Sequence, residues 1–250
     1  MEIAYLILIG FIAGVINTLA GGGSLLTLPI LIFLGLPPNI ANGTNRVAIF
    51  IQNIFGAAGY KSKGVNTFPY SIYFGISAML GAILGAQIAV DIKGELFNKI
   101  LAIVMIMAVF FMVFNPKNTM STVERITGKY FWIGLIVFFF IGIYGGFIQA
   151  GTGFFILTAL SFINRLSLVK SNAVKTVVVI IYTIAALSVF VYFGKVNWQY
   201  GLILAIGNAT GAWLSSRWSV KKGDKVIRFF LIIVVIIMSI KLWFPQWFEF

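Results

Sequence analysis

The sequence predicts an all-α integral membrane protein built from two homologous halves, each with a glycine-broken helical hairpin plus three transmembrane helices. Three observations predict it. Of the 250 residues, 60% are hydrophobic and only 10% are charged, with a mean hydropathy of +1.03, whereas soluble domains carry roughly 25% charged residues. Apolar runs of about 20 residues, the length that crosses a bilayer, succeed one another with short polar joins along the chain. The landmarks of the first half then return in the same order in the second.

The first run spans residues 3–20 and is followed by Gly21, Gly22 and Gly23, then by a shorter run over 24–34. A glycine triplet has no side chains to pack and the most conformational freedom to lose, so the helix breaks there. Ser24 is expected to cap the short second piece. Irregular backbone at membrane depth is tolerated only where protein buries it or it lines a watery cavity. A broken apolar helix therefore points to a substrate site. Segments 43–60, 68–90 and 96–114 complete the first half. Pro37-Pro38-Asn39 and Asn115-Pro116-Lys117-Asn118 are loop signals. The second half reads 130–150 with 154–163, then 172–193, 198–216 and 226–244. This divides the chain into a first half over 1–115, a connecting loop over 116–128 and a second half over 129–250. Trp132, Trp198, Trp243 and Trp247 fall near segment ends, where interfacial aromatics sit. The chain starts Met1-Glu2 and enters the first run without a basic stretch, so that run is not read as a removable signal peptide.

The repeat aligns Ala20-Gly21-Gly22-Gly23 with Ala150-Gly151-Thr152-Gly153, and Asn42 with Asn172. Gly81-x-x-x-Gly85-Ala86 matches Gly207-x-x-x-Gly211-Ala212, and Lys93-Gly94-Glu95 with Lys99 matches Lys222-Gly223-Asp224 with Arg228. If the broken element crosses the membrane, the halves are parallel and basic residues divide seven against nine. If it is a hairpin returning to the face it left, the halves are inverted. Lys93, Lys99, Lys195 and Lys241 then face the other twelve, leaving out Arg46 and Lys175 inside segments. That bias is the one the positive-inside rule expects, so the inverted arrangement is preferred, with both termini outside.

Composition removes several classes of function. There is no cysteine and no histidine, so no disulfide, thiolate metal site or imidazole base exists, and no catalytic residue, metal or cofactor is assigned. The net charge of +12 sits mostly in short loops, where membrane orientation explains it and nucleic acid need not. All six carboxylates, Glu2, Asp91, Glu95, Glu124, Asp224 and Glu249, fall at segment ends or in loops, which leaves a cation without a counter-charge.

The interior offers donors instead. Each half opens a short helix at its glycine break, and the first amides of a helix lack partners and carry about half a positive charge. Candidate substrate-binding residues are Asn17, Gly21, Gly22, Gly23 and Ser24 at the first break, and Gln149, Gly151, Thr152 and Gly153 at the second. Asn42, Arg46, Asn172 and Lys175 open the following segments. Plain structural readings stand beside these. Arg46 and Lys175 near segment starts also fit snorkelling to headgroups, the buried amides also fit interhelical hydrogen bonding, and the two GxxxG patterns read as packing.

The opening GFIAGVINTLAGGGSLLTLPIL, the following NGTNRVAI, and their echoes GGFIQAGTGF and KSNAVKTVVV resemble the TauE/SafE family of sulfite exporter-like permeases, also called the TSUP family. The resemblance covers essentially the whole chain. It implies a multi-pass inner-membrane carrier of sulfite, thiosulfate or an organosulfonate. The second half departs from the motif: in this alignment Thr152 stands for a glycine and Phe154 for Ser24. The expected function is a secondary transporter of a small sulfur-containing anion by alternating access. A passive anion channel, or a carrier of another carboxylate or oxyanion, is the alternative. The implied partners are the anion and the lipid bilayer, with a homodimer as an open assembly and no nucleic acid.

Overall fold

The computed structural model describes residues 2–114 and 124–219. The loop signal at 115–118, the segment at 226–244, Trp243, Trp247 and the Lys222–Arg228 landmark lie outside the described residues. The first half comprises α1 (Glu2–Ala20), α2 (Ser24–Phe33), α3 (Pro38–Lys61), α4 (Tyr70–Val90) and α5 (Gly94–Phe114). The second comprises α6 (Lys129–Phe147), α7 (Thr152–Phe162), α8 (Leu168–Tyr192) and α9 (Trp198–Trp218). No strand occurs among the described residues. Residues 3–20 of α1, together with α4, α6 and α8, form four helices long and apolar enough to cross a membrane. Both helical breaks fall where the sequence places them, but α7 begins at Thr152, two residues before the expected Phe154.

The halves interlock by exchanging helices. α1 packs along α9, and α6 along α4. Both seams are lined by glycine because the backbones touch. A Cβ on Gly207 would lie 2.6 Å from the Phe11 nitrogen, and one on Gly211 would lie 3.0 Å from that of Val15. On the other seam, Gly81 and Gly85 would each meet a backbone nitrogen, of Ile143 and Phe147, at 2.8 Å. Close approach of small residues is what holds helices together in lipid, where no hydrophobic force acts between them. The GxxxG patterns are packing seams, as read from the sequence.

These contacts also set direction. Residues 11 and 15 of α1 climb past 207 and 211 of α9, so the two run parallel; α6 likewise runs parallel to α4. Lys170 pairs with Glu124 at 2.6 Å and sits over the Tyr70 ring, while Arg125 N–H donates to Asn164 O. The starts of α4, α6 and α8 therefore share one end of the bundle with Lys61, Lys63, Arg125, Lys129 and Arg165. Ser219 Oγ, just past α9, donates to the Tyr60 hydroxyl at that same end. At the other end Asn39 Nδ2 donates to Val90 O, and the Lys195 carbonyl lies against Gly43; Lys93 and Lys99 belong there. α1 starts at this second end and α6 at the first, so these two helices run in opposite directions.

A two-helix hairpin with arms of 19 and 10 residues opens the first half. Its counterpart has arms of 19 and 11 residues.

Candidate substrate site

The two breaks are not in the register the glycines suggest. Gly21, with φ +81°, is the left-handed residue that ends α1; after α6 both Gln149, with φ +66°, and Gly151, with φ +71°, are left-handed. Ser24 and Thr152 each begin the short returning helix. Thr152 therefore occupies the place of Ser24, and Gln149 that of Gly21. The two-residue slip disappears by Asn42 and Asn172, because α7 is one residue longer than α2 and the turn after it is also one residue longer.

Ser24 does not cap its own helix. Gly23 holds the cap position without a side-chain bond, and Ser24 Oγ crosses to the other half. It donates to Gln149 O (3.3 Å) and accepts from Gly151 N–H (3.2 Å). Thr152 Oγ1 donates to the same Gln149 carbonyl at 2.8 Å. Gln149 Nε2 donates to Thr183 Oγ1 at 3.4 Å. These bonds hold a buried, side-chain-bearing residue in a conformation that ordinarily favours glycine.

The four residues that open α3 and α8 form two matching clamps. Arg46 donates to Gly145 O (3.0 Å) and Gly146 O (2.5 Å), and Asn42 Nδ2 donates to Phe147 O (2.7 Å). Lys175 Nζ donates to Asn17 O (2.6 Å) and Thr18 O (3.2 Å), and Asn172 Nδ2 donates to Leu19 O (3.1 Å). Within each clamp the cation also bonds its asparagine's Oδ1. Each clamp thus caps the last carbonyls of the broken helix from the opposite half. Those carbonyls have no helical partner and carry partial negative charge, so a cation beside them is favoured. Snorkelling does not describe either residue: Arg46 is 0% and Lys175 1% exposed. The Arg46 guanidinium lies 4.6 Å from the Phe190 ring centre.

One small cavity lies where the breaks meet. Asn17, Ser24, Gln149, Thr152, Gly153 and Lys175 line it together with Ile49, Asn53, Val179 and Tyr182. Its volume is about 10 Å³, room for a single water, so the breaks are shut on each other. A Cβ on Gly21 would stand 2.6 Å from Gly153 C, which leaves no space between them. Among the described residues, the backbone N–H groups of Gly22, Gly23 and Ala150 have no partner, and Gln149 Oε1 and Thr18 Oγ1 are buried without one. Arg46, Asn42 and Asn172 sit outside the lining, behind the helix ends they cap, and Gly151 lies beside it with its N–H on Ser24.

Tyr182 was not singled out by sequence reasoning. It lines the cavity beside Gln149 and Thr152, and its ring lies against Gly145. The signal lies in α8, where Lys175, Val179 and Tyr182 follow a helical i, i+4, i+7 spacing from a known cation. Gln52 and Asn208, by contrast, bond each other at 3.1 Å, the interhelical role. Among the described residues the carboxylates whose side chains are placed, Asp91, Glu95 and Glu124, are exposed, and no group of three metal-ligating side chains occurs. The cavity can accept hydrogen-bond acceptors and negative charge; it has nothing to neutralise a cation.

A family profile described as sulfite exporter TauE/SafE matches residues 6–242. A probable membrane transporter protein from a Sinorhizobium species is 31% identical over 96% of this chain and 92% of its own length. One from Haemophilus influenzae is 29% identical over 99% of this chain and 97% of its own. The Escherichia coli probable membrane transporter protein YfcA is 29% identical over 95% and 88%. No solved structure matches the chain. The matched span takes in both breaks, both clamps and the cavity between them: the chain belongs to the TauE/SafE family and is a multi-pass membrane transporter.

Proposed function

We propose that the chain is a secondary transporter for a small sulfur-containing anion (sulfite, thiosulfate or an organosulfonate) that works by alternating access of two inverted halves. The observation that carries this reading is the cavity itself. Two helical breaks from opposite halves meet there, with Lys175 as the cation in the lining beside Asn17, Ser24, Gln149 and Thr152; the unpartnered amides of Gly22, Gly23 and Ala150 lie at the breaks, outside the lining. An anion gains from such donors, since burying a charge is tolerable only with compensating charge and hydrogen bonds. The opposite courses of α1 and α6 support the inverted arrangement, and the closed state of the cavity supports a carrier over an open pore.

Thermal stabilisation of the purified protein is the direct test. Sulfite, thiosulfate, taurine, sulfoacetate and simple carboxylates are compared; at 100 times its dissociation constant a ligand adds about 2.7 kcal/mol to stability. Wild type should be protected by one sulfur anion and the Lys175→Gln variant should not, while both remain folded. Protection by carboxylates alone would move the substrate out of the sulfur class. Saturable uptake that is stimulated by anion on the far side distinguishes carrier from channel. For the topology, single cysteines at Ser62 and Gly194 should be labelled from opposite faces; labelling from one face contradicts inverted halves.

A further inference from the structure

Two corners that the repeat makes equivalent are built differently. At one, the loop after α8 is packed on the start of α3. Asn197 N–H donates to Thr44 Oγ1 at 2.9 Å, and the Lys195 carbonyl and Phe190 ring fill the space where Gly43 would carry a Cβ. At the other, the loop after α3 stands away from the start of α8. Gly64 and Gly194, both left-handed, mark the two loops as counterparts; Ala173 stands for Gly43 and Val177 for Val47. Between the loop and α8 lies a groove of about 610 Å³, walled by Val65, Phe68, Ala173 and Val177 with Lys61 at its rim.

The floor of this groove is Tyr60, 1% exposed. Its hydroxyl donates to Thr18 O at 3.4 Å, the carbonyl that Lys175 Nζ also holds. Tyr60 thus lines the groove and bonds the clamped end of α1, whose Asn17 lines the central cavity. The size is in the range of small-molecule sites, the walls are apolar, and the rim is cationic.

We propose that this groove is the outer binding vestibule for the transported anion at the Lys61 end, with Tyr60 as its inner gate. It takes a small organic anion whose charged head meets Lys61 and whose apolar group lies against Val65, Phe68 and Val177. The closed corner at Asn197 is the same device in its shut position. Transport exchanges the two: the 64–68 loop settles on Ala173 while the 194–198 loop lifts from Gly43. This inference rests on the transporter reading above and adds the route and the gate.

The chain has no cysteine, so single cysteines report access. In sealed vesicles, Val177→Cys should react with a membrane-impermeant charged thiol reagent from the Lys61 side, about tenfold or more faster than Val47→Cys at the closed corner, because only the first needs no local opening. Methanesulfonate should slow that reaction. Thr18→Cys should react only when Tyr60→Ala is also present; if that double variant does not fold, the Val177 and Val47 pair decides. Equal rates at 177 and 47 overturn the proposal. So does labelling of Val177→Cys in detergent but not in membranes, which assigns the groove to a lipid acyl chain, and so does disulfide-linked dimer through position 177, which assigns it to a second copy. Anions that stabilise the protein without slowing the labelling leave the central site standing and remove the vestibule. If no anion stabilises the protein at all, the anion-substrate reading above fails and the vestibule falls with it.

Discussion

The two helical breaks hold matching places in the fold and are built differently. The first is made of three glycines, and Gly21 turns the chain in a left-handed conformation while its backbone lies against Gly153. The second makes the same turn with Gln149, whose carbonyl is held by Ser24 and Thr152 and whose side chain reaches Thr183. The first break keeps free amides and no side chains of its own. The second keeps side chains and has one of its amides, that of Gly151, already engaged by Ser24. Their clamps differ in the same sense. Arg46 is committed to α6 and stacked on Phe190, away from the cavity. Lys175 caps α1 and also lines the cavity. Matching positions thus carry different side chains: one cation is held behind the helix end it caps, and the other also lines the cavity.

Removing a clamp should have the largest effect. Arg46→Leu leaves the Gly145 and Gly146 carbonyls buried without partners, at about 1–3 kcal/mol for each, so the variant should melt far below wild type in a thermal scan or fail to accumulate. A melting temperature within a few degrees of wild type would show that α6 is capped by something else. Gly21→Ala comes next, combining a left-handed penalty of roughly 1–2 kcal/mol with contact against Gly153. Its loss should exceed that of Ala at Gly35, which is also left-handed but has open space around it; equal losses make the penalty purely conformational. Ser24→Ala removes both hydroxyl bonds between the breaks and should lower stability by about 1 kcal/mol for each, readable as a small shift in denaturant midpoint. Gln149→Gly should do least to stability, because relief of the left-handed strain offsets the lost Thr183 bond. A destabilisation as large as that of Gly21→Ala would mean the Gln149 side chain is structural rather than available to ligand.

Legibility differed between local and long-range features. The breaks at 21–23 and 149–151 were readable because glycine and apolar run length act within one turn of chain, and the membrane then demands that what lies there be buried. Asn17, Ser24, Gln149, Thr152, Gly153 and Lys175, all singled out in the sequence, come together around one cavity. The pairing of Thr152 with Gly22 was misread by two residues, since glycine identity aligned the halves where helix starts do. Ser24 was expected to cap α2, yet Gln149 and Gly151 of the other half lie close enough to take its hydroxyl.

By itself the sequence determined what the chain is made of: helices long enough for a bilayer, two breaks, glycine seams, and an interior without carboxylate that suits an anion. These follow from residue type and spacing, which act over a few residues. Only the tertiary structure decided that Arg46 caps α6 and Lys175 caps α1, that the cavity closes to about 10 Å³, and that one corner is open where its counterpart is shut. Each of those joins residues about 100 or more positions apart. Such contacts depend on how the halves are threaded through each other, for which no local pattern in the chain is a signal.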